Sequence, residues 1–588
     1  MTMDRDALKE AKQEYERWLN APEVDEATKE ELRAIAGDEE ELAERFSQRM
    51  TFGTSGMRGV MKAGIFTMNR YMVRYATEAI SRIILRESSL AVKMRPSVVI
   101  AFDSRHHSRE YAHDAAAVLA AHDIEVYLWE ELRPTPELSF AVRETGSAAG
   151  INITASHNTY EYNGYKVYGP DGAQLSPAGT DALAAEMDKL DLFRDVTYLS
   201  EEELTESPLV HILDEEMDEA YLEAVYAQSV GREYVEDVAE EMRIIYTPLH
   251  GAGRLLAPEM LRRIGIHHLV TVEEQMEPDG DFPTVHTPNP ESDDGFRLAK
   301  EYGARERADL LLATDPDSDR CGVMVRDPET DEYVRLTGNE CGCLLLDYLI
   351  REHRRRGDLP ENAAAVESIV SSRLFAVIAK KNDIALAEVF TGFKFIGAKI
   401  REFEESGEHR FLFGYEESIG FLAGTYARDK DGILASMLIA EMACYYRGLC
   451  MNLLEALEEL YARYGYYTEE TVSTMFDSVD AAQEMAERMA KLREQTAAFT
   501  SEGIEVADYL EGARHRRDAA GAQIREELQP QGSNVLRYAF PDGSYVAVRP
   551  SGTEPKIKMY ILAHGNSAEA ADARAAELKA WGKEILCF

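Results

Sequence analysis

A multidomain α/β protein is the fold class this sequence predicts, and three observations carry the prediction. The chain has 588 residues, and a prior of about one domain per 100–200 residues gives three to five domains. Short apolar runs that end in polar or glycine-rich loops recur along it, alternating with amphipathic stretches of helical period. Near the C-terminus the rhythm changes: two apolar runs flank a loop in 545–565 and precede one long helix, which reads as a separate α+β domain.

The elements follow in order. Residues 1–48 are rich in Glu, Lys and Ala, with Leu8, Tyr15 and Leu19 at helical spacing, and predict helices. An unusual loop, TFGTSGMRGVM (51–61), precedes a further helical run. SVVIAFDSRHHS (97–108) predicts a strand ending at Asp103, Ser104 and Arg105, with Ser108 placed to cap the helix REYAHDAAAVLAAHD. IEVYLW and AAGINIT (148–154) predict two more strands, the second leading into TASHNTYEYNGYKVYGPDG (154–172). MRIIYTPLHGAG (242–253) reads as a strand entering a glycine-rich turn ahead of a helix. ADLLLATDPDSDRCG (308–322) is a strand ending in an acidic loop, and HRFLFGYEESIGF (409–421) runs from a strand into a polar loop. DGILASMLIAEMACYYRGL (431–449) predicts a long buried helix. Alternating strands and helices imply parallel sheets, whose polar loops at strand C-ends are where ligands bind. From 466 to 532 the chain is acidic and polar, with few strand signals beyond EETVSTMF. Domain boundaries are expected near 205, 335 and 460, giving 1–205, 206–335, 336–460 and 461–588.

Composition narrows the class. Hydrophobic residues at 45% and charged residues at 29% fit a globular enzyme. Lys and Arg number 64 against 107 Asp and Glu, a net charge of −43, which repels nucleic acid and anionic membranes. A phosphorylated ligand therefore needs a locally basic site. Six scattered cysteines argue against a disulfide framework and for a reducing, cytoplasmic setting. Neither a secretory signal nor an apolar stretch of about 20 residues is evident.

Four loops carry the chemistry. In DPDSDR, Asp315, Asp317 and Asp319 follow an apolar strand. Three crowded carboxylates repel one another unless a cation lies between them, and oxygen-only ligands suit a hard ion such as Mg²⁺. An acidic surface turn is the plainer alternative. RPSGTEPK (549–556) offers Arg549, Ser551, Gly552 and Thr553, a guanidinium fork with hydroxyls and open N–H groups, which is a phosphate cradle or an ordinary hairpin turn. In GYEES (414–418), Glu416 and Ser418 fall on one face if the segment is extended and suit vicinal sugar hydroxyls. Ser156 and His157 are adjacent, but neighbours on an extended segment point to opposite faces, which weakens a Ser–His dyad. A serine that carries a phosphoryl group fits better, with a cation from the acidic loop and Lys166 and His157 as donors.

Together, TASHNTYEYNGYKVY, DPDSDR, GYEES and RPSGTEPK resemble the four active-site loops of the α-D-phosphohexomutases, in that family's order and spacing. The resemblance runs from about residue 50 to 565. It implies four domains around a central cleft: three similar mixed α/β sheet domains and a C-terminal domain of another fold. Ser156 matches the phosphoserine, and Asp315, Asp317 and Asp319 match Mg²⁺ ligands, with the Ser156 phosphate completing the shell. Arg320 matches a residue that contacts the phosphoserine, and Lys166 a general acid/base. Glu416 and Ser418 match the sugar loop; Arg549, Ser551, Gly552 and Thr553 match the loop that grips the non-transferring phosphate. Thr391, Gly392 and Lys394 in TGFK resemble the loop that reads sugar orientation. Arg58 in TSGMRG and Lys430 in ARDKDG match basic residues lining the site.

The implied activity is reversible interconversion of glucose 1-phosphate and glucose 6-phosphate, with glucose 1,6-bisphosphate as intermediate and activator. Phosphomannomutase-type members tend to carry Gly-His after the serine of the sugar loop, whereas Ile419 and Gly420 stand here. Glucose is thus favoured over mannose, pentose phosphates stay open, and the second acid/base partner is unassigned. A sugar-phosphate phosphatase or sensor is the reading from another class. The expected partner is a small phosphosugar, and the expected assembly a monomer or homodimer.

Overall fold

The computed structural model describes residues 5–53, 56–88, 95–476, 481–551 and 556–586. The chain divides into two compact units: Met1–Leu336 with Gly397–Glu405 and Gly420–Gly448, and Thr337–Ile396 with Ser406–Ile419 and Leu449–Phe588.

The first unit begins with the helices Arg5–Asn20, Glu26–Ala34 and Glu39–Phe46. Ala11, Tyr15 and Trp18 turn one face of the first helix inward, and the Trp18 ring meets Phe46, Tyr71 and Phe193 edge-on at 5.2–5.9 Å. Behind them lies a six-stranded sheet, ordered Met57–Val60, Tyr162–Tyr168, Ala149–Ile153, Ser97–Phe102, Glu125–Trp129 and Val210–Leu213. Its last four strands are parallel, and Tyr162–Tyr168 returns antiparallel to Ala149–Ile153. A second sheet, Tyr333–Leu336, Cys321–Arg326, Leu310–Thr314, Arg243–Thr247 and His268–Thr271, repeats the plan, with Cys321–Arg326 antiparallel to Leu310–Thr314. Every residue of Leu310–Thr314 is buried, which explains its uninterrupted apolar run. Each such Leu contributes about 1.5–3 kcal/mol by leaving water.

In the second unit, Ala363–Ser368 pairs in parallel with both Ala385–Val389 and Arg410–Glu416. The C-terminal sheet is antiparallel throughout, ordered Tyr466–Met475, Lys556–Gly565, Tyr545–Pro550, Leu536–Ala539, Glu505–Asp508, Ala513–Arg517 and Gln523–Glu527. It packs Val546, Val548, Met559 and Ile561 against the helix Ala568–Leu586 through Ala575 and Leu578.

Three local expectations are corrected. The stretch 466–532 holds three strands beyond Tyr466–Met475, because sequences such as ARHRR and QIREE pair through their backbones despite carrying few apolar side chains. Ser108 opens the helix Ser108–Ala121 instead of capping it; His107 takes the cap position at φ +62°, and Ser108 Oγ donates to Asp103 at 2.8 Å. Both α/β sheets of the first unit are mixed, as the resemblance implies, and not parallel as the alternation of strands and helices alone implied, since the polar loops are the tips of antiparallel strand pairs.

Among the described residues, no single helix is long and apolar enough to cross a membrane.

Candidate active site

The tips of those antiparallel pairs bring Ser156 and the acidic loop together within the first unit. Ser156 follows Ala149–Ile153 and has φ +52°; Ser318, in the acidic loop after Leu310–Thr314, has φ +54°. A non-glycine residue in the left-handed region costs on the order of 1–3 kcal/mol, and such strain persists where surrounding bonds enforce it. For Ser156 they do: its N–H donates to Thr154 Oγ1 at 2.8 Å, and its carbonyl accepts from Arg105 at 2.5 Å. The Ser156 hydroxyl then donates to Asp315 Oδ2 at 2.8 Å.

The three aspartates are fully buried, with ligand oxygens within 4.8 Å of one another. Both oxygens of Asp315 and one oxygen each of Asp317 and Asp319 are tied down. Asp317 Oδ2 accepts from Lys166 Nζ at 2.8 Å and Thr135 Oγ1 at 3.0 Å, and Asp319 Oδ2 accepts from Lys430 Nζ at 2.7 Å. Asp317 Oδ1 and Asp319 Oδ1 are buried without a hydrogen-bond partner. Buried polar oxygens are ordinarily satisfied, so hard-oxygen acceptors left open toward a shared space fit a cation such as Mg²⁺. The electrostatics agree. Burial, with Asp317 and Asp319 adding repulsion, pushes the Asp315 carboxyl well above the usual range, and burial and Asp317 raise Asp319. For Asp317 burial acts in the same upward direction, but Lys166 and Lys430 outweigh it and hold the carboxyl low.

The glycine-rich turn before the helix Gly253–Arg263 supports this loop from below. A Cβ on Gly251 would stand 2.4 Å from Pro316 Cα, and one on Gly253 would stand 2.7 Å from Ser318 Oγ. Ala252 N–H donates to the Pro316 carbonyl at 2.8 Å. From the other side Gly432, first residue of the buried helix Gly432–Gly448, donates to the Ser318 carbonyl at 3.0 Å.

The Ser156–His157 relation corrects the expectation of opposite faces. The positive φ at Ser156 breaks the alternation of an extended chain, so His157 Nδ1 comes within 3.2 Å of Ser156 Oγ. Burial, then Arg320 and Arg58, push the His157 ring well below its usual range, leaving it neutral near pH 7. Arg58, on the edge strand beside Tyr162–Tyr168, donates to Asn158 Oδ1 at 2.8 Å. The Arg320 backbone N–H donates to Asp315 Oδ1 at 3.2 Å, and its guanidinium lies 3.5 Å from Glu291.

The second unit holds the other candidates. Glu416 ends the strand Arg410–Glu416 and accepts from Gly392 N–H at 2.6 Å, which joins the GYEES and TGFK loops. Ser418 does not share an extended face with Glu416; it lies past the strand end in a turn whose next residue, Ile419, has φ +55°. Thr391 Oγ1 is buried without a hydrogen-bond partner, and burial lowers the Lys394 ammonium. Arg549 donates to Tyr560 Oη at 3.1 and 3.2 Å; against the lowering effect of burial, Tyr560 and Glu417 hold it firmly protonated. Ser551 N–H donates to the Lys556 carbonyl at 2.8 Å. Gly552 and Thr553 lie outside the described residues.

Two residues escaped the motif reading. Thr135 reaches the metal loop through its hydroxyl and also through its N–H, which donates to the Asp317 carbonyl at 2.9 Å. Arg105 is fully buried beneath the Ser156 loop. Arg105 shows only as a polar residue just past an apolar strand, and Thr135 only as the opening residue of the helix Thr135–Glu144.

Known families and solved structures resemble this chain along most of its length. Models of the phosphoglucomutase/phosphomannomutase α/β/α domains I, II and III match residues 49–194, 219–329 and 337–464, and that of the C-terminal domain matches 484–580. A phosphoglucomutase of Staphylococcus epidermidis is 36% identical over 527 residues, covering 89% of this chain and 92% of that protein. One of Staphylococcus aureus is 33% identical over 536 residues, covering 89% and 91%. Among solved structures, parafusin (a phosphoglucomutase) from Paramecium in an open form superimposes with a TM-score of 0.70 at 19% identity, over 92% of this chain and 95% of that one. A phosphoglucomutase/phosphomannomutase family protein from Burkholderia thailandensis gives 0.64 at 18% identity, over 91% and 97%.

Proposed function

This chain belongs to the phosphoglucomutase/phosphomannomutase family, and from that premise we propose that it is a phosphoglucomutase that relays a phosphoryl group through Ser156. The observation that carries the reading is the 2.8 Å contact of Ser156 Oγ with Asp315 inside a buried aspartate triad. Asp315, Asp317, Asp319 and the Ser156 phosphate would hold Mg²⁺. When bound, that ion supplies charge stabilisation for the transferring phosphoryl group.

The protein's own residues do the rest. In the first half-reaction the bond between phosphorus and Ser156 Oγ breaks, and a bond forms from phosphorus to the free hydroxyl of glucose 1-phosphate. The product is glucose 1,6-bisphosphate. The proton lost by that hydroxyl ends on Ser156 Oγ, carried by Lys166 and by the neutral His157 whose Nδ1 lies 3.2 Å from that oxygen. In the second half-reaction, with the bisphosphate turned over, the bond between phosphorus and the C1 oxygen breaks, phosphorus bonds to Ser156 Oγ, the serine proton passes to the C1 oxygen, and glucose 6-phosphate leaves. Arg58 and Arg320 add positive charge at the serine, and Lys430 holds Asp319. Glu416 and Ser418 bind sugar hydroxyls, Thr391, Gly392 and Lys394 read the sugar's orientation, and Arg549, Ser551, Gly552 and Thr553 grip the phosphate that stays. In-line positioning and preorganised charge are the main sources of rate for phosphoryl transfer.

The division at about 205, 335 and 460 assigns one functional loop to each domain. A cytoplasmic location accords with the buried thiols of Cys321, Cys343 and Cys444.

The test is phosphorus NMR of the protein with glucose 1-phosphate, Mg²⁺ and a trace of glucose 1,6-bisphosphate. Conversion to glucose 6-phosphate without release of inorganic phosphate is expected, and Ser156→Ala should abolish it. Stoichiometric inorganic phosphate would make the protein a phosphatase. A kcat/KM panel over glucose, mannose, ribose and deoxyribose 1-phosphates ranks the sugars, and a pentose preference would replace the glucose assignment.

A further inference from the structure

We propose that Arg105 is a positioning residue that holds Ser156 in its strained backbone conformation and so sets the line of phosphoryl transfer; this rests on the reading of Ser156 as phosphoryl carrier. A guanidinium has five N–H donors in a fixed plane, and here each finds an acceptor. Nε donates to Asp103 Oδ2 at 3.1 Å. One terminal nitrogen donates to the Thr159 and Tyr162 carbonyls at 2.7 and 3.0 Å. The other donates to the Ser156 and Asn158 carbonyls, both at 2.5 Å. Four carbonyls of one short loop are thereby gathered onto one side chain, which is itself fully buried.

The clamp is closed from behind. Asp103 Oδ1 accepts from the Arg105 N–H at 3.0 Å and from Ser108 Oγ at 2.8 Å, while Oδ2 also accepts from Thr154 Oγ1 at 2.7 Å. Thr154 Oγ1 in turn accepts the Ser156 N–H at 2.8 Å. Ser156 is thus held through its carbonyl by Arg105 and through its N–H by Thr154, with Asp103 joining the two. The Phe282 ring covers the guanidinium with its centroid at 5.1 Å.

This network explains how a serine is kept at φ +52° with its hydroxyl on Asp315. Four of the five acceptors are carbonyls, so neutralising the charge of Asp103 does not by itself account for the arrangement. Lysine has three donors that radiate from one atom and cannot span four carbonyls and a carboxylate. Displacement of reacting atoms by about 1 Å can cost about 100-fold in rate, which is the effect expected when the clamp is loosened.

The experiment uses the full-length protein with Mg²⁺ and three variants: Arg105→Lys, the milder Thr154→Val, and Val126→Ala in the core of the same sheet as a stability-matched control. Two readouts are taken: kcat and KM for glucose 1-phosphate, and the rate at which glucose 1,6-bisphosphate phosphorylates Ser156, followed by intact-protein mass spectrometry. Arg105→Lys should lower kcat and the phosphorylation rate by about 100-fold with KM within a few-fold, and Thr154→Val should shift both in the same direction by less. Val126→Ala should leave both near wild type despite a lowered Tm. Wild-type turnover in Arg105→Lys, or losses in Val126→Ala equal to those in the clamp variants, would overturn the proposal. Should Arg105→Lys not fold, an unchanged phosphorylation rate in Thr154→Val would overturn it instead. If the wild type itself is not phosphorylated on Ser156, the functional reading fails, and that result is separable from failure of the clamp.

Discussion

Around Ser156 the charges meet charges: Lys166 lies 2.8 Å from Asp317 and Lys430 lies 2.7 Å from Asp319, all four side chains largely buried. Around the loops of the second unit, the hydrogen bonds to Arg549 and Glu416 come from neutral groups, with the charges of Glu417 and Glu416 acting on Arg549 without a direct ion pair among the described contacts. Arg549 is held by the Tyr560 phenol at 3.1 Å, and Glu416 by the Gly392 N–H at 2.6 Å. The difference fits the roles proposed for the two regions. A buried ion-paired cluster costs desolvation and is sensitive to the loss of any member, which suits a centre where atoms must stay fixed while a phosphoryl group moves. A charge oriented by a neutral hydrogen bond keeps its field for a ligand, which suits recognition of a phosphate or of sugar hydroxyls.

Breaking one member of the ion-paired centre should have the largest effect. Asp317→Asn leaves Lys166 and Thr135 facing an amide and removes one cation ligand. Turnover should fall by roughly 10³-fold, and Mn²⁺ binding followed by electron paramagnetic resonance should weaken in parallel. Retention of both would mean that the triad does not hold the metal. Next comes Gly251→Ala, which changes no charged group but places a methyl 2.4 Å from Pro316 Cα. Displacing the acidic loop in this way should cost about 100-fold in kcat and weaken Mn²⁺ binding; a variant equal to wild type in both would show that the loop does not depend on this support.

In the second unit, Arg549→Ala should act on binding. Loss of a charge-assisted contact is worth about 1.5–3 kcal/mol, so KM for glucose 1-phosphate should rise by about 10- to 100-fold with kcat changed less. A fall in kcat at constant KM would move Arg549 from recognition to chemistry and remove the contrast between the two regions.

How much of this was legible in sequence depended on where each signal came from. Strands such as Leu310–Thr314 are buried on both faces and announce themselves as apolar runs. The loops carrying Ser156, Asp315 and Arg549 stood out because their residue types are costly to place together without a ligand. The conformation of Ser156 was not legible: φ +52° in a serine is imposed by Arg105 and Thr154, and the alternation rule for extended chains therefore put His157 on the wrong side. Thr135 and Arg105 stayed hidden for a related reason. Their partners are 182 residues away for Thr135 and mainly backbone carbonyls for Arg105, neither of which leaves a motif. The strands Ala513–Arg517 and Gln523–Glu527 were missed because backbone pairing sustains them with little apolar burial.

The smallest expected effect concerns stability, and it sharpens the picture of the second unit. Glu469, on the strand Tyr466–Met475, is pushed up to about 7, chiefly by burial, with Glu340 adding repulsion and Ser372 opposing. The folded chain therefore holds this proton between about pH 4.5 and 7, where the unfolded chain has released it. Stability contributed by the raised group is present below the unfolded value and is lost as pH rises through that window. Glu469→Gln, which cannot ionise, should have the higher Tm at pH 8, by a few degrees, with the difference disappearing near pH 4.5. An equal Tm difference at both pH values would show that ionisation of Glu469 does not set it.

The most direct measurement is peptide mapping by mass spectrometry after brief exposure of the protein to glucose 1,6-bisphosphate and Mg²⁺, then to excess glucose 1-phosphate. A single phosphoryl group should appear on Ser156 and leave with the sugar as turnover proceeds. Phosphorylation elsewhere, or sustained turnover with Ser156 never modified, would contradict the assignment of this serine as the carrier.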